Sequence, residues 1–189
     1  MATKRPRTFT PDEAKFKNLL LYVCLKSQTD PGFGAIKLNK LLWESDRLAY
    51  GLLERPITGV EYARRRLGPA PKRLMQIRDQ MISDGLLGME ERLYDSYPNP
   101  QKRPVALSRP DLSVFSADEI ALVDSVIERF RSFNGTDIAD WSHGLYPCRV
   151  TVEGETIPYE TVFLSDRRLT ACETQHMCEL AQERGWDVF

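Results

Sequence analysis

The first periodic pattern in the chain is a set of apolar side chains at helical spacing, which starts at residue 16. They recur every three or four positions, at Phe16, Leu19, Leu20 and Val23. This spacing predicts an amphipathic helix. Thr10 is a typical N-cap residue, Pro11 suits the first helical position, and Glu13 completes a capping box with Thr10. We therefore expect the helix to begin at Thr10 and Pro11 and to end before the "DPGFG" turn at residues 30–34.

A second helix is predicted over about residues 35–53. One of its faces is apolar apart from a serine, and consists of Leu38, Leu41, Leu42, Ser45, Leu48, Ala49 and Leu52. The charged residues fall largely on the other face, at Lys37, Lys40, Glu44 and Arg47. Such a division is typical of a helix that packs on a core with its charged side chains in water. The first two helices are expected to pack together.

The next stretch, "RPITGVEYARRRLGPAPKRL" at residues 55–74, places a short alternating segment between two turn signals. Gly59 can adopt the positive φ of a turn, and "VEYAR" alternates apolar and polar residues as a strand does. Val60 and Tyr62 are expected to face inward. If the strand continues, Arg64 and Arg66 share the face of Tyr62.

Gly68 and Pro69 should end this strand, because the residue before a proline avoids the helical region. Pro71 is expected in the first turn of a third helix that runs to about residue 84. Residues 86–94 and 103–107 then look like two extended segments around the polar turn "DSYPNPQK". This pattern predicts a small β ribbon.

Three helices are predicted in the second half of the chain. Ser116 and Glu119 form a capping box ahead of an apolar stripe, and Gly135 follows as a stop signal. Thr136 is expected to cap a short helix that ends near residue 142. Thr170 and Glu173 give a third capping box for a final helix, from residue 170 to 184.

The elements together predict a mainly α fold, or α+β with a small β ribbon. The length of 189 residues suits one compact helical domain. We expect a disordered basic tip at residues 1–11, one domain over residues 12–165, and a helical extension at residues 166–189 packed on it. The order helix, helix, strand, helix and ribbon also resembles that of a winged-helix element.

Charge is divided unevenly along the chain. Residues 1–110 carry 20 Lys and Arg against 12 Asp and Glu, a net charge of +8, whereas residues 111–189 carry 6 against 15, a net charge of −9. Such asymmetry can steer a charged partner without identifying it. The sequence contains neither the run of about 18 apolar residues of a membrane helix nor the apolar block of a secretory signal. We expect a cytoplasmic protein without membrane contact.

No motif in the sequence supports catalysis or a cofactor. The chain contains no nucleophile elbow, no phosphate-binding loop and no dinucleotide fingerprint, so we predict no enzyme activity and no cofactor. Cys148, Cys172, His176 and Cys178 lack the paired spacing of a zinc site, and free thiols are favoured over a metal site. His143, at a predicted helix end, is more typical of a hydrogen-bonding group than of a catalyst.

The strongest concentration of charge is basic and lies at Arg64, Arg65, Arg66, Lys72, Arg73 and Arg78. These side chains could bind a partner or the phosphates of a nucleic acid. They could equally protect an edge strand from self-pairing, and the sequence pI of about 6.2 is below that of typical nucleic-acid-binding modules. The sequence alone leaves the two interpretations open.

Three motifs in order resemble a known family. "IKLNKLLWESDRLAYGL" looks like its "KLxKLLY" helix, "RPITGVEYARRRLGPAP" resembles its "ITG…Y…GP.P" core, and "TDIADWSH…GETIPYETVFLS" is similar to its late "S-H…IPY" segment. The family is the Panacea domain of SocA-like antitoxins. The resemblance spans about residues 12–165. Trp43 stands where an aromatic residue, often tyrosine, is usual.

The resemblance implies a non-catalytic, mainly helical antitoxin that binds a cognate protein toxin directly, in a type II system of a bacterium, phage or mobile element. It also allows an adaptor that delivers the toxin to an AAA+ protease. A DNA-binding regulator with a winged-helix-like core is the remaining alternative, and it predicts salt-sensitive DNA binding. The residues that we expect near the partner are Tyr62, Arg64, Arg66, Gly68, Pro69, His143, Pro158 and Tyr159. Tyr62 and Tyr159 could also be core residues.

Overall fold

Helices dominate the computed structural model, which describes residues 9–93, 100–164 and 170–183. The α-helices are α1 (Glu13–Lys26), α2 (Ala35–Leu53), α3 (Leu74–Ser83), α4 (Ala117–Arg129), α5 (Gly135–Gly144), α6 (Tyr146–Val150) and α7 (Ala171–Glu183). The strands are β1 (Tyr62–Arg65), β2 (Gly68–Pro71), β3 (Leu87–Arg92) and β4 (Gln101–Ala106), and short 3-10 turns lie at Leu112–Val114 and Tyr159–Phe163. The predicted mainly α class is confirmed.

Helix α2 lies at the centre of the fold. It packs against α1, α4, α5, β2, β4 and the second 3-10 turn. Its bounds agree with the predicted residues 35–53, and its packing on α1 confirms the expected helix pair. Leu38, Leu41, Leu42 and Ala49 are buried as predicted, whereas Leu52 is 71% exposed. The core therefore surrounds most of this helix instead of covering one stripe.

The prediction of a solvated charged face on α2 was wrong. Lys37, Lys40 and Glu44 are at most 1% exposed, and Asp46 is fully buried. A buried ionised side chain needs partners, because its transfer out of water costs several kcal/mol. Each of these residues has a partner that lies outside α2. The charged residues of α2 thus connect it to its neighbours.

Lys37 shows how one buried cation can join three segments. Its Nζ donates to Asp30 Oδ2 at 2.6 Å, and Asp30 lies in the loop between α1 and α2. The same nitrogen donates to the carbonyl oxygens of Phe133 at 2.6 Å and Arg131 at 3.3 Å, both in the connection between α4 and α5. All three donor hydrogens of the ammonium are used. Lys37 therefore fixes the position of two loops.

The starts of α1 and α5 differ from the predicted ones. Asp12, not Thr10, caps α1, and its side chain accepts from the backbone N–H of Lys15 at 2.8 Å. The backbone N–H of Asp12 donates to the Thr58 carbonyl, which holds the residues before it in an extended path. Likewise Asn134 caps α5 with a complete capping box, so Gly135 begins a helix and does not end one. The predicted Thr136 cap was wrong for the same reason.

Other helix predictions are confirmed. The capping box of Ser116 and Glu119 is present at the start of α4. Helix α7 begins directly after Thr170, whose carbonyl accepts from the backbone N–H of Thr174. The Glu173 side chain, which would complete the predicted capping box, lies outside the described part of the chain, and so does Gly185. None of the helices in the described ranges is long and apolar enough to cross a membrane.

The strands form two separate antiparallel ribbons. Strand β1 pairs with β2, with Tyr62 opposite Pro71, and β3 pairs with β4, with Leu87 opposite Ala106. Strand β2 was not predicted, and Pro71 ends it instead of starting α3. A winged-helix domain joins its first strand to the ribbon in one sheet, whereas the ribbons here stay apart over the described residues. The sheet topology gives no support to the winged-helix interpretation.

The two ends of the chain are only partly described. Of the expected basic tip, residues 1–8 lie outside the described part of the chain. Phe9 packs edge-on against Tyr50 and Tyr159, with ring centroids 5.7 and 5.8 Å apart. The side chains of α7 whose burial is described are exposed, and the packing of the C-terminal extension on the domain stays a prediction.

Loss of the Lys37 ammonium should destabilise the fold strongly. We expect Lys37→Met to lower the free energy of unfolding by about 3–5 kcal/mol, because Asp30 would remain as a buried carboxylate without its cation. Lys17→Met, which removes a surface ion pair with Glu13, should cost less than about 1 kcal/mol. Urea denaturation measures both. Equal losses in the two variants would contradict the role assigned to Lys37.

Candidate functional site: the turn between the first two strands

Tyr62 is a core residue that holds β1 on α2. Its side chain is 2% exposed, and its hydroxyl lies 2.7 Å from Asp46 Oδ2 and 3.0 Å from the Leu42 carbonyl. Asp46 also accepts hydrogen bonds from the backbone N–H and the hydroxyl of Thr58. Burial raises the pKa of Asp46, and these hydrogen bonds act in the opposite direction. The Asp46 carboxylate thus joins α2 to Thr58 and to Tyr62, the two ends of the segment that leads into β1.

Tyr159 and Pro158 belong to a segment that extends the first ribbon. The backbone N–H of Ile157 donates to the Tyr62 carbonyl at 2.9 Å, and Ala63 forms an antiparallel bridge with Thr156. The Tyr159 hydroxyl donates to the Val60 carbonyl at 2.6 Å, and burial raises its pKa. Half-buried Pro158 caps the 3-10 turn that follows. Both residues therefore stabilise the ribbon.

Gly68 and Pro69 form the close contact between β2 and its two neighbouring helices. Gly68 has a φ of +89°, and a Cβ atom there would collide with Ser142 Oγ on α5 and lie 2.8 Å from Lys40 Cε on α2. The Pro69 carbonyl accepts from Lys40 Nζ at 3.0 Å. Burial lowers the pKa of Lys40 to about 8. Any other residue at position 68 would have to displace the Ser142 or Lys40 side chain and adopt a left-handed backbone conformation.

The arginines lie at the end of this ribbon, where it turns. Half-buried Arg64 donates from its guanidinium to the Thr151 carbonyl at 2.6 Å. Arg65 and Arg66 are exposed and form no ion pair with any residue in the described ranges. Arg66 lies in the turn beyond β1, so the prediction that it shares the face of Tyr62 was wrong. We call residues 64–67 the arginine turn.

Apolar side chains lie beside the arginine turn. Leu67 is 37% exposed, and Val150 and Val152 are 51% and 63% exposed. The backbone of Arg64 bonds to that of Glu155 and Gly154, which places residues 152–155 alongside the turn. Exposed arginines next to exposed aliphatic side chains are suited to protein recognition. His143 is half-buried and follows Ser142, the residue that contacts Gly68.

Sequence reasoning did not find a second cluster on α2, α4 and α5. The buried carboxylate of Glu44 accepts from Arg47 at 2.7 and 2.8 Å and from Arg129 at 3.3 Å. The guanidinium of Arg47 lies 5.5 Å from the Trp43 ring, and that of Arg129 lies 5.5 Å from the Trp141 ring. We call these five residues the tryptophan–arginine cluster. Glu44 and Arg129 are 85 positions apart, so no local pattern indicates their contact.

The cysteines do not come together. Cys24 and Cys148 are buried, and Cys172 and Cys178 are exposed on α7. Burial raises the pKa of Cys148 to about 11, against the opposing effect of the positive charges of Lys40, Arg64 and Arg47. Among the residues whose placement is described, no group of His, Cys, Asp and Glu has the geometry of a metal site. Arg64 of the arginine turn and Arg47 of the tryptophan–arginine cluster thus both act on the Cys148 thiol.

Comparison with protein families agrees with this arrangement. A family model described as antitoxin SocA-like, Panacea domain, matches residues 38–147, more than half of the chain. The chain belongs to this family of SocA-like antitoxins. The match covers α2 from Leu38 onward, the arginine turn, α4, α5 and the start of α6, and is narrower at both ends than the predicted span of residues 12–165. No curated protein matches the chain.

Membership of the family supports an antitoxin role for this Panacea domain. The matched region contains the whole of the first ribbon and the tryptophan–arginine cluster, whereas Pro158 and Tyr159 lie beyond it. Within the ribbon, the motif residues Tyr62, Gly68 and Pro69 are buried. The buried motif residues thus hold the arginine turn in position, and Arg65, Arg66 and Leu67 are exposed on it.

The close contact at Gly68 can be tested against a second glycine. We expect Gly68→Ala to lower the free energy of unfolding by about 2–5 kcal/mol, since it adds overpacking to left-handed strain. Gly85 also has a positive φ, +70°, but no atom lies within 4 Å of the place that a Cβ atom would occupy there. Gly85→Ala should therefore cost only about 1–2 kcal/mol. Thermal or urea unfolding distinguishes them, and similar losses would contradict the tight packing.

Proposed function

We propose that this protein neutralises a cognate protein toxin by binding it directly, as the antitoxin of a type II toxin–antitoxin system. The arginine turn forms part of the surface that contacts the toxin. The observation that supports this most is the contrast within one motif: its buried residues hold the ribbon, while Arg65 and Arg66 project from it without an ion pair to any described residue.

Rigid support makes the arginine turn suitable for binding. The turn is fixed by Gly68 on α5, by the Lys40 bond to Pro69 and by the Arg64 bond to Thr151. Binding to a turn with a preorganised backbone costs less conformational entropy than binding to a mobile loop. Arginine is also among the residues that contribute most to affinity in protein interfaces. Tyr62 and Tyr159 support the surface from below, and His143 lies at its border.

The proposal also fits the chemistry of the surface. Leu67, Val150 and Val152 provide exposed apolar area beside the guanidinium groups of the turn. A toxin segment with acidic side chains next to apolar ones would satisfy both. Nucleic-acid binding needs basic residues too, but it gains little from this aliphatic border.

The partner can be tested by expressing the reading frame next to the gene for this protein. Its product should be toxic alone and harmless when this protein is coexpressed, and the two purified proteins should form a complex. A neighbouring product that is harmless or does not bind would contradict the proposed function. Salt-sensitive, sequence-specific DNA binding without toxin binding would favour the DNA-binding regulator instead.

Charge reversal tests the arginine turn itself. Arg66→Glu should weaken the complex at least tenfold, because an exposed guanidinium would be replaced by a carboxylate that repels acidic toxin residues. The double variant Arg64→Glu, Arg66→Glu should weaken it further. Isothermal titration calorimetry measures the Kd.

The matched control is the double variant Arg92→Glu, Arg109→Glu, which makes the same change of charge at exposed positions on β3 and in the loop after β4. We expect its Kd to stay within about threefold of the wild-type value, because the effect of a surface charge is local at physiological salt. Arg66→Glu and the control should keep the wild-type melting temperature within a few degrees, whereas the double variant Arg64→Glu, Arg66→Glu also loses the Arg64 bond to Thr151 and should melt at a lower temperature. Equal Kd values for the arginine-turn variants and the wild type would exclude the arginines from the interface.

A further inference from the structure

We infer that the tryptophan–arginine cluster is a second anchor point, where the guanidinium of Arg129, positioned beside the Trp141 ring, binds a carboxylate side chain of the partner. The inference rests on the proposed function in that the partner is the toxin. It assigns a binding role to residues that the arginine turn does not include.

The two guanidinium groups of the cluster bind the Glu44 carboxylate unequally. Arg47 binds Glu44 through two nitrogens, at 2.7 and 2.8 Å, and its side chain is only 15% exposed. Arg129 contacts the same carboxylate through one nitrogen, at 3.3 Å, and its side chain is 53% exposed. Arg129 therefore keeps donors available to a ligand, and two cations face one carboxylate at this place in the described structure.

Two aromatic rings hold the Arg129 side chain in place. Its guanidinium lies 5.1 Å from the Phe130 ring and 5.5 Å from the Trp141 ring. These rings are packed on each other with centroids 4.5 Å apart, and Trp141 also contacts Trp43 at 6.3 Å. A stacked guanidinium has already lost much of its side-chain freedom, so a carboxylate can bind its planar fork at a reduced entropic cost.

The cluster also lies next to the base of the arginine turn in the fold. Trp141 directly precedes Ser142 on α5, and Ser142 contacts Gly68 at the base of the arginine turn. A standard interface buries about 800 Å² on each partner, a patch roughly 30 Å across. The cluster and the arginine turn are close enough to lie under one such patch. A half-buried tryptophan beside an exposed arginine is also typical of interface hot spots.

The chain offers a matched pair of arginines for the test. Arg131 follows Arg129 by two residues, is 56% exposed and pairs with Glu128, but has no described contact with a tryptophan. Arg129→Gln and Arg131→Gln therefore change the charge equally at similar exposure. Glu44 keeps both bonds from Arg47 in the first variant, so the fold should survive.

The experiment measures the Kd of each variant for the product of the neighbouring reading frame. We expect Arg129→Gln to weaken binding at least tenfold and Arg131→Gln by less than threefold. Arg129→Lys keeps the charge but loses the planar fork, so it should recover only part of the affinity. Circular dichroism melts check that each variant is folded.

Two failures can be told apart. Wild-type binding with equal Kd values for Arg129→Gln and Arg131→Gln would overturn the second anchor alone. Full recovery by Arg129→Lys would overturn the proposed grip on a carboxylate by a stacked, planar group. Absence of wild-type binding would overturn the proposed function and this inference together.

Discussion

The fold depends on ionisable side chains of α2 that are buried and paired with partners from other segments. Lys37 bonds to the loop before α2 and to the connection after α4, Lys40 to β2, Glu44 to α4, and Asp46 to the segment that enters β1. Apolar packing alone tolerates small shifts between elements, whereas a buried charge is stable only with its partners in place. These contacts therefore determine where each neighbouring segment lies against α2.

This constraint also explains how the arginine turn is positioned in a Panacea domain with so little β-structure. A two-stranded ribbon is only marginally stable by itself. Here the ribbon of β1 and β2 is held by Tyr62 on Asp46, by Pro69 on Lys40 and by Gly68 against α5. These contacts also fix the backbone of the arginine turn, which lies at the end of the ribbon. Most of the motif residues predicted to contact the partner thus support the turn, and only the arginines project from it.

The sequence predicted the elements well and their burial poorly. Local signals were sufficient for the bounds of α2, the capping box of Ser116 and the β3–β4 ribbon, because each depends on residues a few positions apart. The outward position predicted for Glu44 failed because the pattern of one helix cannot show that Arg129 lies against it. The tryptophan–arginine cluster was missed for the same reason. In the first ribbon, Pro71 was placed in α3 because proline suits a first helical turn as well as a strand end.

The central claim is that one face, formed by the arginine turn and the adjacent part of α5, binds the toxin. Amide hydrogen exchange of the protein, with and without the product of the neighbouring reading frame, tests it most directly. We expect the toxin to slow amide exchange at residues 63–68 and 139–145 and to leave the exchange rates of the β3–β4 ribbon unchanged. Slowed exchange confined to that ribbon or to α3, with residues 63–68 unaffected, would contradict it.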